Sequence, residues 1–370
     1  MSQAAVREIP HAVAGRPSRA RLAALNAVSG VALRALPRIP DPVKRVLLGR
    51  RRVSVDGNTL DTTLQLMLTM QKASGLSGLV ASDDIAVARN QLRSLAGAID
   101  APIIVASNDI TVTGAAGPLR ARHYAPAAPD GAPLLVFYHG GGFTVGDITT
   151  HDALCRLLCR DGAAHVISVD YRLAPEHEAP AAVDDAYAAY RWALDHAADL
   201  GADPLRVAVG GDSAGGNLAA VVSMLARDDR AQLPALQLLF YPVVYSFHGD
   251  TRSKGLFSDG FFLTRSDMDW FERLYLDGAS IDTADPRISP LLADDLSGLP
   301  PALVVTAGFD PLRDEGDSYA EALVAAGVAV DHRRYGTLVH GFANFFPLGG
   351  DSETATLEVV SAVRAHLTRA

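Results

Sequence analysis

Cysteine is nearly absent from this chain. Cys155 and Cys159 are the only two in 370 residues, so a disulfide framework is excluded, and two thiols are too few ligands for a zinc site. Their i, i+4 spacing sets them on one face of an expected helix, where they read as reduced core residues. Long apolar runs are missing as well. The best candidate, Leu22 to Leu33, is interrupted by Asn26 and Ser29, and it is shorter than the roughly 20 residues that a membrane-spanning helix needs. It starts late for a secretory signal, and no A-x-A cleavage site follows it. An amphipathic helix and a cytoplasmic protein are therefore expected. No stretch matches G-x-x-x-x-G-K-[ST] or G-x-G-x-x-G, so a nucleotide site is not expected, and neither a metal nor a cofactor is. No zinc-finger or RNA-binding pattern occurs, which leaves nucleic acid without support as a partner. There is no internal repeat.

Charge is present but uneven. The chain carries −9 overall, yet residues 1–52 hold eleven Lys/Arg against Glu8 and Asp41, a local +9, so the remainder carries −18. A basic front end reads first as the solvated face of N-terminal helices, with weak contact to an anionic membrane surface as the alternative. At 49% hydrophobic and 20% charged residues, the chain is a globular protein of one large domain with an appendage, or of two domains.

The texture changes near residue 101. Residues 1–100 read as helical, with stretches near 18–36, 59–74 and 83–98 separated by turn signals such as S-G-L-S-G. They are expected to form an N-terminal cap. Two strands around G-A-A-G-P (114–118) suggest a hairpin. Strands near 134–139, 165–171, 206–211, 236–241, 302–307 and 330–335 then alternate with helices near 150–161, 179–199, 214–228, 314–326 and 352–368. That alternation predicts an α/β fold over 101–370: a mostly parallel sheet of about eight strands, helices on both faces, and the hairpin as an antiparallel edge. Residues 245–285 break the rhythm. With Phe257, Phe261, Phe262, Trp270 and Phe271, they are expected to be a cap insertion.

Chemistry gathers at the ends of the strands. V-G-G-D-S-A-G-G-N (209–217) places Ser213 between an apolar strand and a helix, the setting of a nucleophile elbow. Gly211 and Gly215 flank the serine because backbone must pass close there. The five-residue pattern alone could also be a glycine-rich turn with a capping serine. H-G-G-G-F (139–143) follows an earlier strand. Its glycines let a loop aim several N–H groups at one point, so Gly141 and Gly142, with Ala214 after the nucleophile, are the expected oxyanion-hole donors. His139 precedes the glycines and reads as a brace for the loop. His340, in L-V-H-G-F after the last strand, is the expected base. G-F-D-P-L-R-D-E-G (308–316) offers two acids. Asp310 comes first after its strand and is taken as the partner of His340, while Asp314 is expected to cap the next helix.

H-G-G-G-F, Y-R-L-A-P-E-H (171–177), G-D-S-A-G, D-P-L-R-D-E and H-G-F, in this order, resemble the hormone-sensitive-lipase family of α/β-hydrolases. Within it they resemble the bacterial esterases with Asp before the serine. The resemblance covers about residues 100–370. It implies a serine carboxylesterase acting on short- to medium-chain acyl esters without a cofactor, with Ser213, Asp310 and His340 as its triad and Gly141, Gly142 and Ala214 as its oxyanion hole. It implies supporting roles for Tyr171, Arg172 and Glu176, and it makes a homodimer plausible. The N-terminal region is several tens of residues longer than the family's usual cap, so lid contacts transfer least. A true lipase on longer-chain glycerides, or a lactone or amide hydrolase, is the alternative within this fold. Plant gibberellin receptors resemble the same family but lack the catalytic His, and His340 argues against a receptor here.

Overall fold

Residues 132–138 are buried without exception, as are 165–169. Strands buried on both faces must be covered on both faces, and this chain does so by period 2. Leu134, Val136 and Tyr138 join one apolar cluster, while Leu135 and Phe137 join another. The computed structural model describes residues 32–127, 131–245 and 251–369. The expected helix near 18–36 and the start of the 245–285 insertion fall partly outside them.

A small hairpin of β1 (Ser54–Val55) and β2 (Asn58–Thr59) comes first. The main sheet follows, with β3 (Ala106–Gly114), β4 (Gly117–Ala125), β5 (Ala132–Tyr138), β6 (His165–Val169), β7 (Ala202–Asp212), β8 (Gln237–Phe240), β9 (Ala302–Phe309) and β10 (Val330–Val339). Its order is β10-β9-β8-β7-β5-β6-β4-β3. Pairing is parallel from β10 through to β6, and antiparallel where β4 meets β6 and β3. Helices 152–162 and 350–369 pack on one face. Helices 181–196, 214–228 and 313–325 pack on the other. Cys155 and Cys159 are free and buried on the first of these helices, and burial pushes both thiols up, Cys159 to about 12.

Helices 62–73 and 85–98 begin at Asp61 and Asp84, whose carboxylates accept backbone N–H groups in the first turn. Across from them lies helix 265–276, with a capping box between Thr264 and Asp267. Asp267 also accepts the N–H groups of Leu79 and Val80, both at 2.9 Å. One buried carboxylate thus joins the N-terminal segment to the insertion. A second tie lies deeper: Lys254 pairs with buried Glu315 at 3.0 Å, and Glu315 accepts the N–H groups of Val244 and Tyr245. Asp314 departs from expectation. Its helix starts without a side-chain cap, and its carboxylate accepts the Ser253 N–H at 2.7 Å. The acid holds the insertion instead, because the entering chain at 310–312 already turns tightly enough to start the helix. Among the described residues, no helix is long and apolar enough to cross a membrane.

Where β4 meets β6, His123 Nε2 lies 2.9 Å from His165 Nδ1, with both rings buried. Burial, aided by the neighbouring imidazole, lowers His123 from 6.5 to about 4. The unfolded chain therefore binds a proton there at pH values where the folded chain does not, so stability is lost as the pH is lowered through this range. Urea unfolding is expected to lose at most about 3 kcal/mol from this group between pH 6.5 and 4. His123→Gln is expected to flatten that slope, and an unchanged slope would remove the histidine pair from the account.

Candidate active site

β7 ends at Asp212 and a helix begins at Ala214, so Ser213 must turn the chain within one residue. It does so at φ 57°, ψ −116°, a left-handed conformation that a non-glycine residue adopts only under constraint. Its N–H donates to Phe240 O at 2.9 Å and its carbonyl accepts Asn217 N–H at 3.1 Å. The constraint is visible at Gly215, where a Cβ would collide with the carbonyl oxygen of Tyr138. Only glycine lets the new helix pass β5 this closely.

The neighbouring strands deliver the other groups to the same edge of the sheet. Asp310 directly follows β9 and His340 directly follows β10. His340 Nε2 lies 2.9 Å from Ser213 Oγ, and His340 Nδ1 lies 2.8 Å from Asp310 Oδ2. Asp310 Oδ1 accepts the Leu312 N–H at 2.8 Å. All three residues are buried, with Ser213 8% exposed, His340 4% and Asp310 0%. The Tyr241 ring packs against the imidazole.

The glycine loop leaves β5 beside them. Gly141 and Gly142 both have positive φ, 118° and 58°. Among the described residues, no carbonyl or side chain accepts their N–H groups. Both glycines line one cavity with Ser213 and His340. His139 is fully buried beneath the loop, stacked on Tyr171 and bonded through Nδ1 to Gly140 O at 2.9 Å. Burial and the nearby His151 lower it to about 4, so it is neutral. The Tyr171 hydroxyl donates to the His139 carbonyl at 2.6 Å. Arg172 pairs with buried Asp185, and Glu176 receives Arg89 of helix 85–98. Both are structural ties.

Sequence reasoning missed one group of residues. Asp212 Oδ1 accepts Gly140 N–H at 2.8 Å and lies 3.1 Å from His151 Nε2, while Oδ2 accepts Asn344 Nδ2 at 3.0 Å. Burial would raise the Asp212 carboxyl, but His151 and the Gly140 N–H together hold it below the ordinary value. Burial likewise opposes charge on His151, and Asp212 overcomes it to raise the imidazole. The residue before Ser213 thus anchors the glycine loop to the strand-to-helix turn. The position of Asp212 in G-D-S-A-G was a signal; His151 and Asn344 carried none.

The cavity above these groups holds about 270 Å³. Its walls include Leu79, Leu95, Phe143, Met268 and Phe271, with Arg93, Arg122 and Asp152 among the polar residues. An apolar chamber over a serine, an imidazole and free N–H groups suits an uncharged carbonyl compound with an apolar substituent. Among the described residues, no group of three or more His, Cys, Asp or Glu side chains could hold a metal ion.

Comparison with known proteins places the chain among esterases of one fold. The family described by the α/β hydrolase fold matches residues 135–344. The carboxylic ester hydrolase LipN of Mycobacterium tuberculosis is 57% identical over 348 residues, 92% of each chain. Among solved structures, a hyperthermophilic esterase from the archaeon Pyrobaculum calidifontis is 41% identical with a TM-score of 0.76, covering 83% of this chain and 98% of that one. EstE1, a thermostable carboxylesterase cloned from a metagenomic library, is 45% identical with a TM-score of 0.73, covering 77% and 98%.

Proposed function

This chain belongs to the α/β-hydrolases, in their hormone-sensitive-lipase-like branch of carboxylic ester hydrolases, and on that premise we propose how it cleaves an ester. Ser213 Oγ attacks the carbonyl carbon while His340 Nε2 takes its proton. The carbonyl oxygen becomes an oxyanion facing the N–H groups of Gly141, Gly142 and Ala214. The C–O bond to the alcohol then breaks, and His340 returns the proton to the leaving oxygen. Water, deprotonated by the same imidazole, attacks the acyl-Ser213 and releases the acid. Asp310 does not take the proton; it holds the ring and stabilises its charged form. The observation that carries this reading is the unbroken Asp310–His340–Ser213 relay at 2.8 and 2.9 Å. Hydrolysis of p-nitrophenyl butyrate by wild type and Ser213→Ala tests it.

Short- to medium-chain acyl esters are the proposed substrates, since the chamber is apolar but limited in size. The lid is proposed to combine the N-terminal helices with the 245–285 insertion. A cytoplasmic setting, a homodimer, and weak contact of the basic N-terminal segment with anionic membranes belong to the same reading. Four of that segment's arginines lie in residues 1–31, outside the described residues.

The oxyanion donors can be tested through Gly142. At φ 58° it has no room for a side chain, because a Cβ would strike the Phe271 ring. Gly142→Ala is expected to displace its N–H and lower kcat by about 10²-fold, the scale of losing one donor. KM should change far less. An unchanged kcat would remove Gly142 from the oxyanion hole.

A further inference from the structure

A second cavity adjoins the first. It holds about 90 Å³ and lies between helices 62–73 and 85–98. Leu79, Leu95 and Phe262 line both cavities. Beyond them, Leu33, Met67, Met70 and Leu76 line only the second. The polar residues on its wall are occupied elsewhere. Gln71 Nε2 donates to Gly78 O, Gln91 bonds Leu79 O and Ala81 N–H, and Ser74 and Ser94 donate to carbonyls of their own helices. What remains facing the space is mostly hydrocarbon.

The partition between the cavities has an unusual backbone. Phe262 has φ 76°, and Leu263 N–H donates across it to Phe261 O at 3.1 Å. A bond from residue i to i+2 around a positive φ is a strained γ-turn, rare for a bulky side chain. Leu79 is fixed through its N–H to Asp267 and Leu95 belongs to a helix. Phe262 sits on a loop, with its ring edge-on to Phe345 and beside Gly341, next to His340. Strain therefore places one aromatic ring between the reacting groups and the second, mostly apolar cavity.

We infer that the second cavity is a tail subsite: a linear alkyl chain attached to the bound ester passes Phe262 and lies between the two cap helices. This rests on the Ser213 reading and adds the substrate class. The tail could belong to the acyl or to the alcohol half of the ester, and the chemistry recognised is the same.

Two substrate series test it, p-nitrophenyl esters from acetyl to decanoyl and alkyl acetates from ethyl to decyl. In one of them, kcat/KM is expected to rise about fourfold for each methylene that enters the second cavity. The series that shows the rise identifies the half of the ester that carries the tail. Met70→Trp, which fills the far cavity, is expected to lower the long-to-short ratio of kcat/KM by about tenfold or more. Phe262→Ala is expected to raise it. If Met70→Trp does not fold, Ser94→Phe on the neighbouring helix makes the same test. No rise in either series, or a ratio unmoved by filling, would overturn the tail subsite while leaving Ser213-dependent hydrolysis of butyrate standing. Butyrate hydrolysis that survives Ser213→Ala would instead overturn the reading beneath it.

Discussion

Ser213→Ala is expected to lower kcat on p-nitrophenyl butyrate by about 10⁶-fold, the loss seen when a nucleophile is removed from a working triad. The covalent route disappears with the hydroxyl, so His340 has no alcohol proton to take and no acyl-enzyme forms. Residual turnover would come from the oxyanion donors and binding alone. The fold should not suffer. Ser213 Oγ bonds to His340, while the turn itself is held by backbone bonds to Phe240 and Asn217. A thermal unfolding midpoint near that of wild type checks this. Labelling by a fluorophosphonate should vanish together with activity, since both need the same oxygen. Turnover within tenfold of wild type would place the reaction on another atom, and the relay geometry would then describe structure only.

The strand ends were readable because burial and chemistry obey different rules at one place. β5, β7 and β9 each appear as an apolar run that stops at a residue with chemistry, His139, Asp212–Ser213 and Asp310, while β10 is charged along much of its length and turns apolar only at Leu338–Val339, just before His340. Parallel strands send those ends to the same edge, so the meeting point followed from the alternation itself. Residues joined by no such rule were not readable. His151 and Asn344 reach Asp212 from a helix start and from the short 3₁₀ helix Phe342–Leu348 after β10, and nothing periodic links them. Asp314 looked like a helix cap, but its carboxylate is held by Ser253 across 61 residues of sequence. The β1–β2 hairpin was too short to show a period. β10 runs on to Val339 because an irregularity between Tyr335 and Val339 interrupts pairing with β9 without ending it. Phe262 looked like one lid aromatic among five. Its backbone, which no side-chain pattern records, sets it apart.

Asp310→Asn is expected to lower kcat by about 10⁴-fold with little change in KM, because it alters a tautomer more than a shape. In the native site, Asp310 offers one oxygen to Leu312 N–H and the other to His340 Nδ1. Both partners are donors, so two acceptors are required. An asparagine has only one acceptor oxygen. If it faces Leu312, the amide NH₂ faces Nδ1, which must then accept, and the proton moves to Nε2. A protonated Nε2 cannot take the hydroxyl proton of Ser213. If the amide flips, its NH₂ points at the Leu312 N–H in a site with no exposure, and a buried donor pair goes unsatisfied. The turn at Leu312 therefore selects the inactive tautomer. Raising the pH should recover part of the rate, as hydroxide replaces the missing base. Asp314→Asn is the matched control, since that acid holds Ser253 and does not face the imidazole. It should stay within about twofold of wild type in kcat, because weakening its contacts to Ser253 and Arg313, both away from the imidazole, is a small perturbation there. Equal losses in the two variants would mean that the effect is one of packing, and would take Asp310 out of the proton relay.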